Sequence, residues 1–327
     1  MSLDAEISRL SGGEQIVAQT SSKPIRTVAV IGAGVIGASW SALFLASGLS
    51  VVASDPAPGA EKKLRTFVEK ALLDLRSLGW KGEGHLTFLE DAREAVSGAD
   101  FVQENGPERE AVKAALLADL DMAAPTHAII ASSTSALLRS KIVARCTTSE
   151  RVIVGHPFNP PHLIPLVEIV GPAPDADAVR RAEAFYQSVG KETVVLKKEA
   201  VGHLINRINS AVWREAVSLF QQGLADPADI DRAITAGPGM RWPFLGPYEM
   251  YHLGGGEGGI AHYFDHLQPI QEERWKDMPT PQLDDAFRQK IIESVQGMAG
   301  SKTIPELAQR RDERLLALLR IRDRLRD

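Results

Sequence analysis

His156 stands in the run "VGHPFNPPHLIPLVEIVG", among Pro157, Asn159, Pro160 and Pro161, with Glu168 twelve residues further on. An imidazole bonded through one ring nitrogen to a carboxylate is fixed in one tautomer, which leaves the other nitrogen free to accept a proton. Glu168 is the simplest partner, because it interrupts the apolar run "PLVEIV", and burying a lone carboxylate is costly. Val152 to Gly155 read as a buried strand, which puts His156 at the strand's carboxyl end, where open parallel sheets bind their ligands. The prolines stop the strand and fix the backbone beyond it. The spacing alone also permits a plainer arrangement, with Glu168 facing outward and His156 acting as a cap.

A second constellation lies near the start. Gly32-Ala33-Gly34-Val35-Ile36-Gly37 fits G-x-G-x-x-G between a strand-like run, "RTVAVIGAG", and a helical one, "VIGASWSALFLASG". In that context Gly32 permits the tight turn, Gly34 lets a pyrophosphate approach the backbone, and Gly37 lets the helix pack on the strand. The helix N-terminus offers free N–H groups to phosphate. The next strand, "SVVASD", ends in Asp55, eighteen residues beyond Gly37. A carboxylate there binds ribose hydroxyls and repels a 2′-phosphate, and Pro56-Ala57-Pro58 brings no arginine, so NAD is expected over NADP. The alternative is an uncommitted turn followed by a surface aspartate.

These residues need a scaffold. The strand-like runs "ADFVQE", "HAIIASS", "RVIVGH", "PLVEIV" and "ETVVLK" alternate in part with helical patterns, which implies βαβ units and a mainly parallel sheet covered on both faces. Beyond about Lys198 the strand signal stops. "VGHLINRINSAVWREAVSLFQQGLAD" reads as one long helix, and "DPADIDRAITAG" opens another with Asp226 as N-cap and Pro227 at its first position. The expected architecture is a polar extension over residues 1–24, a doubly wound Rossmann-type α/β domain over 25–198, and an all-helical substrate and dimerisation domain over 199–327.

Composition narrows the class. With 44% hydrophobic and 24% charged residues over 327 positions, the chain is an ordinary globular one, large enough for two domains. A net charge of −5 without blocks of like charge argues against nucleic acid and against a polybasic membrane site. No apolar run approaches ~18 residues, and the N-terminus lacks the charged start and apolar stretch of a signal peptide. The single cysteine, Cys146, cannot form an internal disulfide, so a cytoplasmic protein is expected.

The motifs taken together resemble the 3-hydroxyacyl-CoA dehydrogenase family over nearly all of residues 25–300. "IGAGVIG", "ASSTSALL", "GHPFNPPHLIPLVEIVG", "GHLINR" and "GPGMRWPFLGP" follow in the family's order. The resemblance implies an NAD-dependent oxidation of a 3-hydroxyl, with His156 as base, Glu168 as its orienter, and Ser135 and Asn206 on the reacting oxygen. It places NAD contacts on Gly32, Gly34, Gly37, Asp55, Glu108, Lys113 and Asn159, and it implies a homodimer through the helical half.

Two departures bear on that reading. The family's usual "SNTS" is "SSTS" here, with Ser133 at the asparagine position near the nicotinamide. The segment after Asp55 is short, where CoA-specific members carry lysines for the CoA nucleotide, so a small, CoA-free 3-hydroxy acid is expected. "DPAPGAEKKLR", "GADFVQENGPER" and "KTIPELAQRRDERLLALL" resemble the carnitine-oxidising branch. The gulonate-oxidising branch, to which lambda-crystallin belongs, shares "GMRWPFLGPYEMYHL"; it and 3-hydroxybutyryl-CoA are the alternatives. A catalytically silent, crystallin-like structural protein would not need His156, Glu168, Ser135 and Asn206 together.

For a carnitine-like substrate, Arg241 could bind the carboxylate through both oxygens. Trp242, with Phe244, Tyr248 and Tyr251 nearby, could face a trimethylammonium group. The same aromatics equally suit a dimer seam. His262 and His266 have metal-ligand spacing but lack the glutamate of H-E-x-x-H, and no metal is expected. Cys146 reads as a packed thiol, and Trp213, Val217 and Phe220 as a core stripe.

Overall fold

Short β-branched runs form eight strands. They are β1 (Thr27–Ile31), β2 (Ser50–Ser54), β3 (Leu86–Leu89), β4 (Phe101–Glu104), β5 (Ile129–Ser132), β6 (Val152–Pro157), β7 (Leu166–Val170) and β8 (Glu192–Val195). A computed structural model, describing residues 24–325, pairs them in one sheet of order β3-β2-β1-β4-β5-β6-β7-β8. All neighbours are parallel except β6 and β7. The order reverses between β1 and β4, which opens a crevice at the carboxyl ends of the strands. The sheet is the expected doubly wound, mainly parallel one. All of the anticipated N-terminal extension except Pro24 lies outside the described residues.

Helices α1 (Val35–Ala46), α2 (Ala60–Ser77), α3 (Ala92–Val96), α4 (Glu110–Ala123), α5 (Arg139–Ile142) and α6 (Asp177–Ser188) lie between strands. Helix α1 is buried from Gly37 to Ala46. Its small residues let it lie close against the sheet, and the Ser41 hydroxyl is satisfied by donating to the Gly37 carbonyl at 2.8 Å. Helix α2 is amphipathic: Leu64, Val68, Ala71 and Leu75 form its buried stripe, at the 3- and 4-residue spacing of one helical face. Trp40 and Phe44 stack at 5.2 Å, and Phe101 meets Phe185 at 4.4 Å, in the core between α1, α6 and the sheet.

Then come α7 (Ile205–Gln221), α8 (Pro227–Ala236), α9 (Pro247–Gly254), α10 (Gly259–His266), α11 (Gln268–Lys276), α12 (Asp285–Ala299) and α13 (Ile304–Arg324). Helices α8, α9, α11 and α12 contain no buried residue. Helix α13 starts from a Thr303–Glu306 capping box. Its far end returns to the sheet half, where Arg322 pairs with Glu192 at 2.8 Å and Arg320 donates to the Ser77 hydroxyl at 3.0 Å.

Four local features differ from the sequence reading. Strand β3 is an additional edge strand of four residues, too short and too mixed to register as a periodic run. Strand β6 continues through His156 to Pro157. The long helix begins at Ile205, because Gly202 and His203 both have positive φ, 77° and 51°, which no α-helix accommodates. Asp226 does precede α8, but its side chain makes no capping bond.

Candidate active site

Strands β6 and β7 run antiparallel, and their register sets His156 directly opposite Glu168. His156 Nδ1 lies 2.7 Å from Glu168 Oε2, with His156 5% exposed and Glu168 fully buried. The other carboxylate oxygen, Oε1, accepts the backbone N–H groups of Leu204 at 2.7 Å and Ile205 at 2.9 Å. Helix α7 has no side-chain cap of its own, so Glu168 satisfies its N-terminal donors from across the sheet. Burial would lift the Glu168 carboxyl, but the His156 hydrogen bond and the Ile205 and Leu204 N–H groups outweigh it. The group is held below the usual carboxylate range. An ionised Glu168 accepts a hydrogen bond from Nδ1–H, which keeps that proton on Nδ1 and leaves the lone pair on His156 Nε2.

The loop after β5 carries Ser135. Its hydroxyl is 3.2 Å from Glu108 Oε1, which also accepts the Ser135 N–H at 2.8 Å, the Ala136 N–H at 3.0 Å and the Thr134 hydroxyl at 2.7 Å. Burial alone would raise the Glu108 carboxyl; these bonds and Lys113 bring it below its ordinary value. Asn206, in the first turn of α7, donates from Nδ2 to the Ser135 carbonyl at 3.0 Å. A cavity of about 360 Å³ is bordered by Ser135, His156, Asn159, Asn206, Glu108 and Lys113. The structure thus brings all six to one wall. Ser133, the departure near the nicotinamide position, lines the same cavity and is held by Gln103 and Asn105 at 2.9 and 2.7 Å.

The glycine turn has the shape a dinucleotide needs. Gly32 has φ of 90°, and a Cβ there would meet the Asn105 carbonyl oxygen at 2.6 Å. A Cβ on Gly37 would meet the Gly32 carbonyl oxygen at 1.8 Å, so the helix can approach only without one. Gly34 faces open space at the start of α1, room for a phosphate. Asp55 accepts the Ala33 N–H at 2.8 Å and the Ala57 N–H at 2.9 Å, which ties the second strand's acid to the turn. It borders a further cavity of about 690 Å³. Lys113 is 1% exposed and bonded to the fully buried Glu104 at 2.8 Å. These residues fit NAD: Gly34 and the start of α1 would receive the phosphates, and Asp55 the ribose hydroxyls.

Some assignments look different in three dimensions. Arg241 and Trp242 follow a 3-10 turn (Pro238–Met240) and do not border the cavity at His156; Trp242 is exposed. A cleft of about 800 Å³ continues from Ser135 and Asn206 along α7, past Arg207, Trp213 and Arg214. Of the expected core stripe Trp213, Val217 and Phe220, Val217 is buried but Trp213 is exposed and lines this cleft, because apolar spacing does not say which residues the fold leaves uncovered. The Glu108–Ser135 contact carried no sequence signal at all. His262 and His266 are in ring contact at 4.1 Å. Burial pushes the Cys146 thiol up to about 11, in keeping with a packed, inert group.

Comparison with known proteins accords with this geometry. The model of the 3-hydroxyacyl-CoA dehydrogenase NAD binding domain matches residues 27–200, and that of the 3-hydroxyacyl-CoA dehydrogenase C-terminal domain matches 202–289. The chain is 44% identical to an L-carnitine dehydrogenase of Nocardiopsis dassonvillei over 93% of both chains. It is 42% identical to that of Pseudomonas aeruginosa over 90% of this chain and 93% of the other. Among solved structures, the NAD+-dependent 5-formyl-3-hydroxy-2-methylpyridine 4-carboxylic acid 5-dehydrogenase superposes with a TM-score of 0.79 at 29% identity, over 92% of this chain and 99% of that one. An (S)-3-hydroxybutyryl-CoA dehydrogenase of Ralstonia eutropha superposes with a TM-score of 0.59 at 27% identity, over 70% and 82%.

Proposed function

This chain belongs to the 3-hydroxyacyl-CoA dehydrogenase family, and from that membership we propose that it oxidises the 3-hydroxyl of L-carnitine, giving 3-dehydrocarnitine. It is an NAD-dependent oxidoreductase acting on a CH–OH group. The observation that carries the substrate is the likeness to L-carnitine dehydrogenases along some nine-tenths of the chain.

The chemistry follows from the site. His156 Nε2 accepts the hydroxyl proton, and Glu168 stabilises the imidazolium through Nδ1–H. Ser135 and Asn206 hold the reacting oxygen as it turns from hydroxyl to carbonyl. NAD, when bound, supplies the acceptor for the hydride leaving C3. Gly32, Gly34, Gly37, Asp55, Glu108, Lys113 and Asn159 would form its cradle. In this reading residues 25–198 are the NAD-binding domain and residues 199–327 the substrate and dimerisation domain.

The proposal includes a cytoplasmic homodimer. Leu204, just before α7, and Ile208, Val212 and Trp213 on it are exposed, and so are Met240, Trp242, Phe244 and Tyr248. Both surfaces stand open within one chain, and apolar patches of this kind favour burial between copies. A second copy that lays its 240–248 segment along α7 would bring its Arg241 and Trp242 to the cleft beside Ser135. The guanidinium then meets the substrate carboxylate, and the indole faces the trimethylammonium group.

The test is reduced-nicotinamide absorbance with L-carnitine, L-gulonate and 3-hydroxybutyryl-CoA, alongside light scattering of the purified protein. L-carnitine is expected to give the highest kcat/KM, on a dimer. Preference for either other substrate reassigns the substrate, a monomer removes the seam, and no turnover with any of them points to a crystallin-like structural role.

A further inference from the structure

His203 is the single non-glycine residue with positive φ among the described residues, at 51°, and it is 2% exposed. Its Nε2 lies 2.9 Å from the Thr134 carbonyl oxygen. A carbonyl only accepts, so Nε2 carries the proton and Nδ1 is left as a bare lone pair, buried without a partner. The ring sits 5.1 Å from that of His156. Burial, and then the nearby charge of His156, outweigh the Thr134 bond and hold His203 below its ordinary value, so it packs on His156 as a neutral ring.

The turn around His203 grips both halves of the site. On one side, three successive carbonyls are each held by a donor: Thr134 by His203, Ser135 by Asn206 at 3.0 Å, and Ala136 by the Gly202 N–H at 3.4 Å. On the other, the two residues after His203 give their N–H groups to Glu168 Oε1. A left-handed residue at 203 sends its side chain toward Thr134 while the next two N–H groups point at Glu168. An L residue adopts that backbone at a cost, and such conformations persist where surrounding contacts enforce them, often at functional sites.

We propose that His203 is a positioning residue, which clamps the oxygen-binding loop Ser133–Ala136 to the His156–Glu168 pair so that base and oxygen-binding groups keep one fixed geometry. This rests on His156 as base in the reaction proposed above. Misplacing reacting groups by an ångström costs catalysis rather than cofactor binding.

The side chain and the backbone are separable. His203→Gly keeps positive φ without strain but loses the bond to Thr134. His203→Gln keeps an L residue at that φ, as His203 itself is, and its amide N–H reaches the place of Nε2. His203→Leu keeps the backbone cost and loses the bond. With L-carnitine and NAD, the Gly variant is expected to lose about tenfold or more in kcat and the Leu variant about a hundredfold, while Gln stays within about threefold of wild type. NAD dissociation constants, read by fluorescence, and thermal midpoints of the Gly and Gln variants are expected to match wild type. A Gly variant within twofold of wild type overturns the inference, as do equal losses in Gly and Gln, or losses that track the folded fraction. Should the Leu variant not fold, the Gly and Gln pair decides. A wild type that turns over none of the three substrates fails the functional reading instead, and NMR titration of His156 in wild type and the Gly variant then tests the clamp: an unchanged His156 signal and titration overturns it.

Discussion

His156 and Glu168 are register partners across the sheet's one antiparallel junction, Nδ1 to Oε2 at 2.7 Å. The reversal at β7 puts Glu168 beside His156 with a connection of eight residues, 158–165, shorter than a parallel crossover needs. His156→Ala is expected to lower kcat by ~10²–10⁴ with NAD binding intact. Glu168→Gln is expected to fall by a similar order, since an amide can present its N–H to the ring and favour the wrong tautomer. Steady-state kinetics with separately measured NAD affinity checks both; near-normal turnover in either would remove that residue from the mechanism.

Asp55 does two things at once, closing the glycine turn through Ala33 N–H and presenting its carboxylate to the neighbouring cavity. Asp55→Ala is therefore expected to raise the KM for NAD and to narrow its lead over NADP. Equal use of the two cofactors by the wild type would show that the second strand's acid does not select.

Glu104 and Lys113 form a pair with both members almost wholly buried, and Ser132 and the Gly106 N–H complete the carboxylate's partners. Lys113→Met leaves Glu104 charged and uncompensated, at a cost of about 3–5 kcal/mol. Combining it with Glu104→Gln is expected to recover much of that. Chemical denaturation of the two variants checks it, and equal stability of single and double variants would contradict the pairing.

His162 is buried, its Nδ1 2.7 Å from the Ser39 hydroxyl. Burial, followed by the charges of Lys191, Arg311 and Lys70, pushes it down to about 4 from 6.5. Between those values the unfolded chain binds a proton that the native chain refuses, so stability is full above about pH 6.5 and drains away as pH falls toward 4. The loss is on the order of 3 kcal/mol. Thermal melts of His162→Gln are expected to lack this slope between pH 6.5 and 4.5. A slope identical to wild type would assign the acid sensitivity elsewhere.

Seven of the eight strands, the glycine turn and the histidine–glutamate pair were legible because each breaks or repeats a short local pattern. An acid inside "PLVEIV" is conspicuous, and so is a helix that follows glycines. The turn at Gly202 and His203 was not legible, since Val201, Leu204, Ile205 and Ile208 carry an apolar spacing straight through it. His203 and Glu108 gain their meaning from residues 26 to 69 positions away, a separation at which no local period applies. Strand β3 borrows its regularity from β2, which pairs with all four of its residues.

Glu168 divides its two oxygens between the base and the first turn of α7. The carboxylate is thus also a fastener between the sheet half and the helical half. A shift of α7 away from β7 would strip two donors from the carboxylate that bonds His156. The setting of the imidazole and the seating of the helix are therefore linked through one side chain, and a change at either is felt at the other.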